Sequence, residues 1–307
     1  MNKKSLLTYS GLVFAMLFWG FSFVWFKQAN EYFPPLTIIF FRLFISSVLL
    51  ISFSWIKRLF QKINKKEAFY FLLLSLFNPF FYFIGESFGL TKVSSTTAAV
   101  MIATIPVFIP FAAHLFYKEQ LSPLNFAGGI ISFIGVLFII FQKDLSLMAS
   151  PAGILFLSFA VLSAVVYTIL LRGISPTFKP VFIITIQNSL GTLLFLPLFI
   201  IMDLKEIREV TLMLKNLFPI FELAIFASSI AFIFYANGIQ KIGAGKASIF
   251  SNTIPVFTAI FSFIILGDMI TIQIISGIII VIGGLLLSQM TRRKILKSPR
   301  RIKNNID

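Results

Sequence analysis

Apolar residues run along this chain in blocks of about twenty, separated by short polar stretches, without the alternation that marks half-buried helices or strands of water-soluble domains. Ten such blocks can be drawn: Leu6 to Phe26, Leu36 to Ile56, Ala68 to Leu90, Thr97 to Phe116, Leu124 to Phe141, Pro151 to Leu171, Val181 to Met202, Leu217 to Ile239, Ala247 to Leu266 and Ile270 to Met290. A helix of about 20 residues matches a hydrocarbon core about 30 Å thick. The pattern therefore predicts an all-α membrane protein with ten transmembrane helices. The longest connections, Lys57 to Glu67 and Asp203 to Asn216, are too short for a folded soluble domain, so the function is expected among the helices.

The blocks repeat. Thr104-Ile105-Pro106-Val107-Phe108 recurs as Thr253-Ile254-Pro255-Val256-Phe257, an offset of 149 in a chain of 307 residues. The same offset pairs Gly89 with Gly238, Lys92 with Lys241, Gly128 with Gly277 and Gly135 with Gly284. The first two spans of each half align at 145, with Pro35 over Pro180, Lys27 over Arg172 and Arg42 over Gln187. The change of offset falls in a loop, where insertions are tolerated. The repeat predicts two five-helix units, residues 1–145 and 146–291, followed by a basic tail at 292–307. Five is odd, so the second unit enters the membrane from the opposite side. Inverted repeats of this kind are the architecture of many secondary transporters.

Composition sharpens the class. Hydrophobic residues make up 58% of the chain and charged residues 12%, with a mean hydropathy of +0.96, against about 45–50% and about 25% in soluble domains. With no cysteine and one histidine, disulfides, thiolate zinc sites and multi-histidine metal sites are excluded, and no cofactor is expected. The net charge of +15 would suit nucleic acid, yet the basic residues flank the spans. With the N-terminus inside, 19 Lys and Arg fall in inner segments and 6 in outer ones, leaving Arg42 within a span. The positive-inside rule then places both termini in the cytoplasm of a multi-pass protein of the cell (inner) membrane, and no nucleic-acid partner is expected. The first span is read as a retained helix rather than a cleaved leader.

Phe18-Trp19-Gly20 in the first span, Arg42 in the second, Gly89-Leu90 closing the third, Pro106 in the fourth and Glu119 just after it come in an order and spacing that resemble the EamA-type transporters of the drug/metabolite transporter superfamily. The resemblance covers nearly the whole chain. It implies export or exchange of small metabolites such as amino acids, through a cavity walled by helices of both halves. The chain departs from the pattern at Glu86, where a small or apolar residue is expected, and at Asp268, which replaces the second glutamate.

Ionisable residues inside spans are costly and point to function. Arg42 and Glu86 lie at similar depth, roughly 7–9 Å from the outer ends of their helices at about 1.5 Å per residue. They are read either as a static ion pair locking two helices or as cavity groups that meet substrate or a coupling proton. Glu222 is a further candidate for coupling, or else a group snorkelling to the interface beside Lys215. A polar layer of Trp19, Ser22, Asn78, Tyr82, Tyr167, Gln187, Ser229 and Asn252 completes the candidate substrate site, with aromatic walls that suit a small amphipathic molecule. Pro106 and Pro255 each remove a helix hydrogen bond, and are read as fixed bends or as hinges that open opposite ends. Ser122 and Thr271 are expected to cap the helices that follow them, and the Gly128/Gly135 and Gly277/Gly284 pairs to permit close helix contact.

The expected function is secondary transport of a small organic metabolite by alternating access. Its partners would be that substrate, the lipid bilayer and a proton or counter-substrate; sequence leaves the oligomeric state open. No G-x-x-x-x-G-K-[ST] loop occurs, so ATP drive within this chain is not expected. A membrane-embedded lipid-modifying enzyme, or a scaffold without transport, would be the alternatives.

Overall fold

A computed structural model describes residues 3–118, 122–140, 149–207 and 213–289. Glu119 and the basic tail lie outside the described residues. All regular structure among the described residues is helical. Among the described residues, seven helices are long and apolar enough to cross a membrane: α1 (Leu6–Asn30), α2 (Pro35–Ile56), α3 (Lys65–Leu90), α4 (Ser95–Tyr117), α6 (Pro151–Ile174), α7 (Pro180–Ile207) and α8 (Leu214–Ile242). Three shorter apolar helices complete the set: α5 (Pro123–Ile139), α9 (Phe250–Leu266) and α10 (Ile272–Ser288). The chain is thus a multi-pass, all-helical membrane protein.

Helix starts follow local chemistry. Proline opens α2, α5, α6 and α7, where its fixed φ fits and its missing N–H is not needed. Asn64 and Glu67 form a reciprocal cap at the start of α3, with bonds of 2.9 and 2.8 Å. Ser122 Oγ accepts from Leu124 N (3.2 Å), and Thr271 Oγ1 accepts from Ile274 N (3.2 Å), which are the caps expected from sequence. The start of α2 is closed from a distance: the Asp203 carboxylate, at the far end of α7, accepts from Thr37 N (2.7 Å) and Thr37 Oγ1 (3.0 Å).

Three kinds of interruption shape the bundle. In α3, Asn78 leaves helical geometry at φ −148°, ψ 119°, as expected of a residue preceding proline, here Pro79. In α4 the helix stops at Ile102 and restarts at Ile105, next to Pro106; in α9 the turn Ile249–Thr253 is a 3₁₀ helix that gives way to α-helix at Ile254, next to Pro255. At both breaks a threonine turns back on the chain: Thr104 Oγ1 donates to Met101 O (2.6 Å) and Thr253 Oγ1 to Phe250 O (2.7 Å). In α8, residues Leu223–Ala231 widen into a π-helix.

Packing relies on missing side chains where helices cross. A Cβ on Gly128 would strike the backbone of Ser288 and Gly284, and one on Gly284 would strike the backbone of Ser132 and Gly128. α5 and α10 therefore meet backbone to backbone. Between α2 and α7 the contact is a polar seam, with Ser47 to Thr192 at 3.1 Å and Ser54 to Thr185 at 3.2 Å.

Candidate functional site

Seven helices, α1–α4, α6, α8 and α9, enclose a cavity of about 70 Å³, space for a few water molecules. Its walls are mainly aromatic and aliphatic, and Arg42 and Glu86 both reach it. Arg42 is 2% exposed; its Nε donates to Ser228 Oγ at 2.9 Å, and its guanidinium lies 4.2 Å from the centre of the Phe83 ring. That stacking attracts the cation to the ring face. Glu86 is 7% exposed, and its Oε1 accepts from Tyr82 OH at 2.6 Å. Tyr82 and Glu86 are four apart and so share a helix face.

The two charges line one cavity but hold different partners, Ser228 for Arg42 and Tyr82 for Glu86. Among the described residues, the Nη donors of Arg42 and the second oxygen of Glu86 have no hydrogen-bond partner. A planar donor fork and an acceptor oxygen thus remain available on one cavity. Such a pair can take a carboxylate on one side and an ammonium on the other.

Of the residues picked from sequence, Trp19, Ser22, Arg42, Asn78, Tyr82, Glu86 and Tyr167 come together on this cavity. Gln187 stands behind the wall, accepting from Tyr167 OH (3.2 Å) and donating to Asn78 Oδ1 (3.4 Å). Ser229 bonds Ser46 at 2.6 Å, away from the cavity lining. Asn252 is 3% exposed beside the α9 break, and among the described residues neither of its amide atoms has a hydrogen-bond partner. Glu222 lies elsewhere, in an open groove of about 850 Å³ that it shares with Glu31 and Lys215. Pro106 and Pro255 adjoin the cavity through Ile105 and Ile254.

Sequence reasoning passed over Phe23, Phe83, Thr168, Phe232, Tyr235 and Ser251, which also line it. The repeat carried the missing signal. An offset of 145 takes Trp19, Ser22 and Phe23 to Ala164, Tyr167 and Thr168, and an offset of 149 takes Phe83, Glu86, Ile102 and Ile105 to Phe232, Tyr235, Ser251 and Ile254. Every one of these residues lines the cavity, whereas Arg42, Asn78 and Tyr82 do so without their mates. No cluster of three or more His, Cys, Asp or Glu suited to a metal ion occurs among the described residues.

An apolar helical bundle with a charge-bearing cavity among its helices is the build of a polytopic membrane protein. The EamA-like transporter family model matches residues 6–141 and again residues 151–290, and the chain belongs to that family. Its relatives include the uncharacterized transporter YetK of Bacillus subtilis, 25% identical over 296 residues, covering 95% of this chain and 89% of YetK. The uncharacterized transporter YcxC of the same organism is 27% identical over 289 residues, covering 91% of this chain and 92% of YcxC. An uncharacterized transporter of Archaeoglobus fulgidus is 25% identical over 274 residues, covering 89% and 95% respectively. A crystal structure of another protein matches with a TM-score of 0.71 over 92% of this chain and 98% of that one; at 15% identity the likeness speaks to fold alone.

Proposed function

We propose that this chain is a secondary transporter of small zwitterionic organic metabolites, amino-acid-like in their charged groups, working by alternating access as an exporter or exchanger. The observation that carries the reading is the placement of Arg42 and Glu86 on one buried cavity, each with hydrogen-bonding capacity left over. Tyr82 holds the carboxylate of Glu86, and the Phe83 ring backs the guanidinium. In this reading Glu86, rather than Glu222, is the group placed to exchange a proton with the site, because Glu222 opens onto a separate groove.

The proposed topology is ten crossings in two inverted five-helix repeats, with both termini cytoplasmic in the inner membrane. Several contacts support it. Gly89 packs on Leu157 as Gly238 packs on Leu12, the same pair under the two offsets. Gly128 meets Gly284 and Ser288 as Gly277 meets Gly135 and Ile139. Ser47 and Thr192, equivalent under the offset of 145, bond each other as residues on a two-fold axis would. α5 and α10, at 17 residues each, reach the lower end of the range of about 17–25 residues that spans a bilayer.

Comparison of metabolites released by cells with and without the protein, followed by counterflow of the released compounds in proteoliposomes, tests the reading. A zwitterion whose flux is lost in Arg42→Ala and Glu86→Gln is the expected result. Unchanged flux in both variants removes these residues from the mechanism, and flux of no compound favours a scaffold.

A further inference from the structure

The widened turn of α8 does more than bend a helix. Residues 227 to 229 of the π-helix Leu223–Ala231 bond side chains of three other helices. Ala227 O accepts from Trp19 Nε1 of α1 (3.3 Å), Ser228 Oγ accepts from Arg42 Nε of α2 (2.9 Å), and Ser228 O accepts from Asn188 Nδ2 of α7 (2.8 Å). Ser229 pairs with Ser46 of α2 at 2.6 Å, and Asn188 also donates to Ser46 Oγ at 2.8 Å. A π-turn shifts the backbone ladder of a helix by one residue. This stretch of α8 serves three neighbours at once, and Ser229 Oγ donates to Ala224 O, five residues back (2.8 Å).

Arg42 is the only one of these partners that carries charge into the cavity. Of its five N–H donors, the one on Nε is taken by Ser228, while Phe83 supports the face of the group. A guanidinium fixed at Nε and stacked on a ring has its rotation set, so the Nη edge faces one way. Ser228 is in turn fixed through its own carbonyl by Asn188, which is tied to Ser46.

We propose that Ser228, held by Asn188 on the π-turn of α8, is a positioning residue that aims the Nη fork of Arg42 into the cavity and so sets the site's affinity for carboxylates. This rests on the reading of Arg42 as a substrate group. It adds a residue that does not line the cavity, and ties the orientation of the cation to packing among α2, α7 and α8.

The test uses the full chain in nanodiscs with Trp25→Phe and Trp55→Phe, which leaves Trp19, a cavity residue, as the fluorescent reporter. The probes are acetate, glycine and methylammonium. Ser228→Ala is expected to weaken acetate and glycine about tenfold, the loss of roughly one hydrogen bond to a charged group, and to leave methylammonium unchanged; Ser228→Thr restores the wild-type response. In an Arg42→Ala background Ser228→Ala has no further effect. Equal weakening of all three probes, or an unchanged acetate response, overturns the proposal, since a merely structural role moves all three together. A second measurement separates this from failure of the functional reading. If the unmodified site responds to no probe, the zwitterion reading falls. Positioning is then decided by phenylglyoxal modification of Arg42, followed by peptide mass spectrometry. Severalfold faster modification in Ser228→Ala supports it, and an unchanged rate overturns it.

Discussion

Two adjacent glycines of α10 give the sharpest test of how the bundle is packed. Gly283 is exposed, and a Cβ built there meets nothing within 4 Å. Gly284 is buried against α5, and a Cβ there collides with the backbone nitrogen of Ser132 and the carbonyl of Gly128. Alanine at either position gains the same helix propensity, about 0.8–1.0 kcal/mol. At Gly283 that gain stands alone, so Gly283→Ala is expected to stabilise by up to about 1 kcal/mol. At Gly284 the obstacle is backbone, which cannot rotate aside. The helices must separate, and overpacking of this kind costs about 1–3 kcal/mol, so the two substitutions should differ in sign or by about 2 kcal/mol. Gly128→Ala should match Gly284→Ala, because it too meets backbone. Gly277→Ala should cost less, because its nearest neighbours are Ile139 side-chain atoms that can turn. The assay is reversible unfolding in mixed micelles on titration with dodecyl sulfate, read by far-UV circular dichroism. Equal stabilisation by Gly283→Ala and Gly284→Ala would refute backbone contact between α5 and α10.

Four further outcomes follow from the site. Arg42→Gln, which gives the first half the residue that Gln187 supplies in the second, should abolish counterflow of a zwitterionic substrate while the protein still purifies as a folded monodisperse species; retained flux would show the charge to be dispensable. Glu86→Gln should lose proton-linked counterflow and Glu222→Gln should keep it, since only Glu86 lines the central cavity; the opposite pattern would move coupling to the α1/α8/α9 groove. Pro106→Ala and Pro255→Ala should shift cysteine labelling of the cavity towards opposite sides of the membrane, and identical labelling would make both bends passive. Asn252→Ala should leave stability unchanged or raised, because a buried amide without partners costs about 1–3 kcal/mol and has no bond to lose; a loss of more than about 1 kcal/mol in the same titration would reveal a partner.

Membrane class and helix positions were legible because the bilayer imposes length and polarity directly: α2, α4 and α6 start or stop within a few residues of the blocks read from hydropathy. Capping at Asn64, Ser122 and Thr271 is local chemistry and is written in adjacent residues. Helix rotation is not. Gln187 and Ser229 are as polar and as deep as Tyr167, yet they bond laterally to Asn78 and Ser46, and nothing in the chain near them records which way they turn. The π-turn of α8 was equally silent, since Leu223–Ala231 contains no proline or glycine to announce a break. The break at Asn78 carried such a signal in Pro79. Thr168 and Tyr235 were within reach, because the offsets that equate the halves map Phe23 and Glu86 onto them.

Those offsets also explain why the cavity can be nearly symmetric in position and still be polar in one direction. Part of the apolar lining comes in like pairs, Phe83 with Phe232 and Ile105 with Ile254, whereas Phe23 maps onto Thr168 and Ile102 onto Ser251 under the same offsets. The charges have no such mates: Gln187 replaces Arg42 and Tyr235 replaces Glu86. A zwitterion would therefore keep its head on α2 and α3 in both orientations of the bundle, while the wall around its side chain changes. The breaks in α4 and α9 sit where that change would have to occur, since Ile102 and Ile105 on one side and Ser251 and Ile254 on the other flank the interrupted turns and line the cavity together. If either break acts as a hinge, its movement would alter the cavity's shape while Arg42 and Glu86 lie on other helices. Under the proposed alternating access, the unpaired polar groups of the first half would stay with the substrate while the paired breaks of α4 and α9 reshape the wall around it.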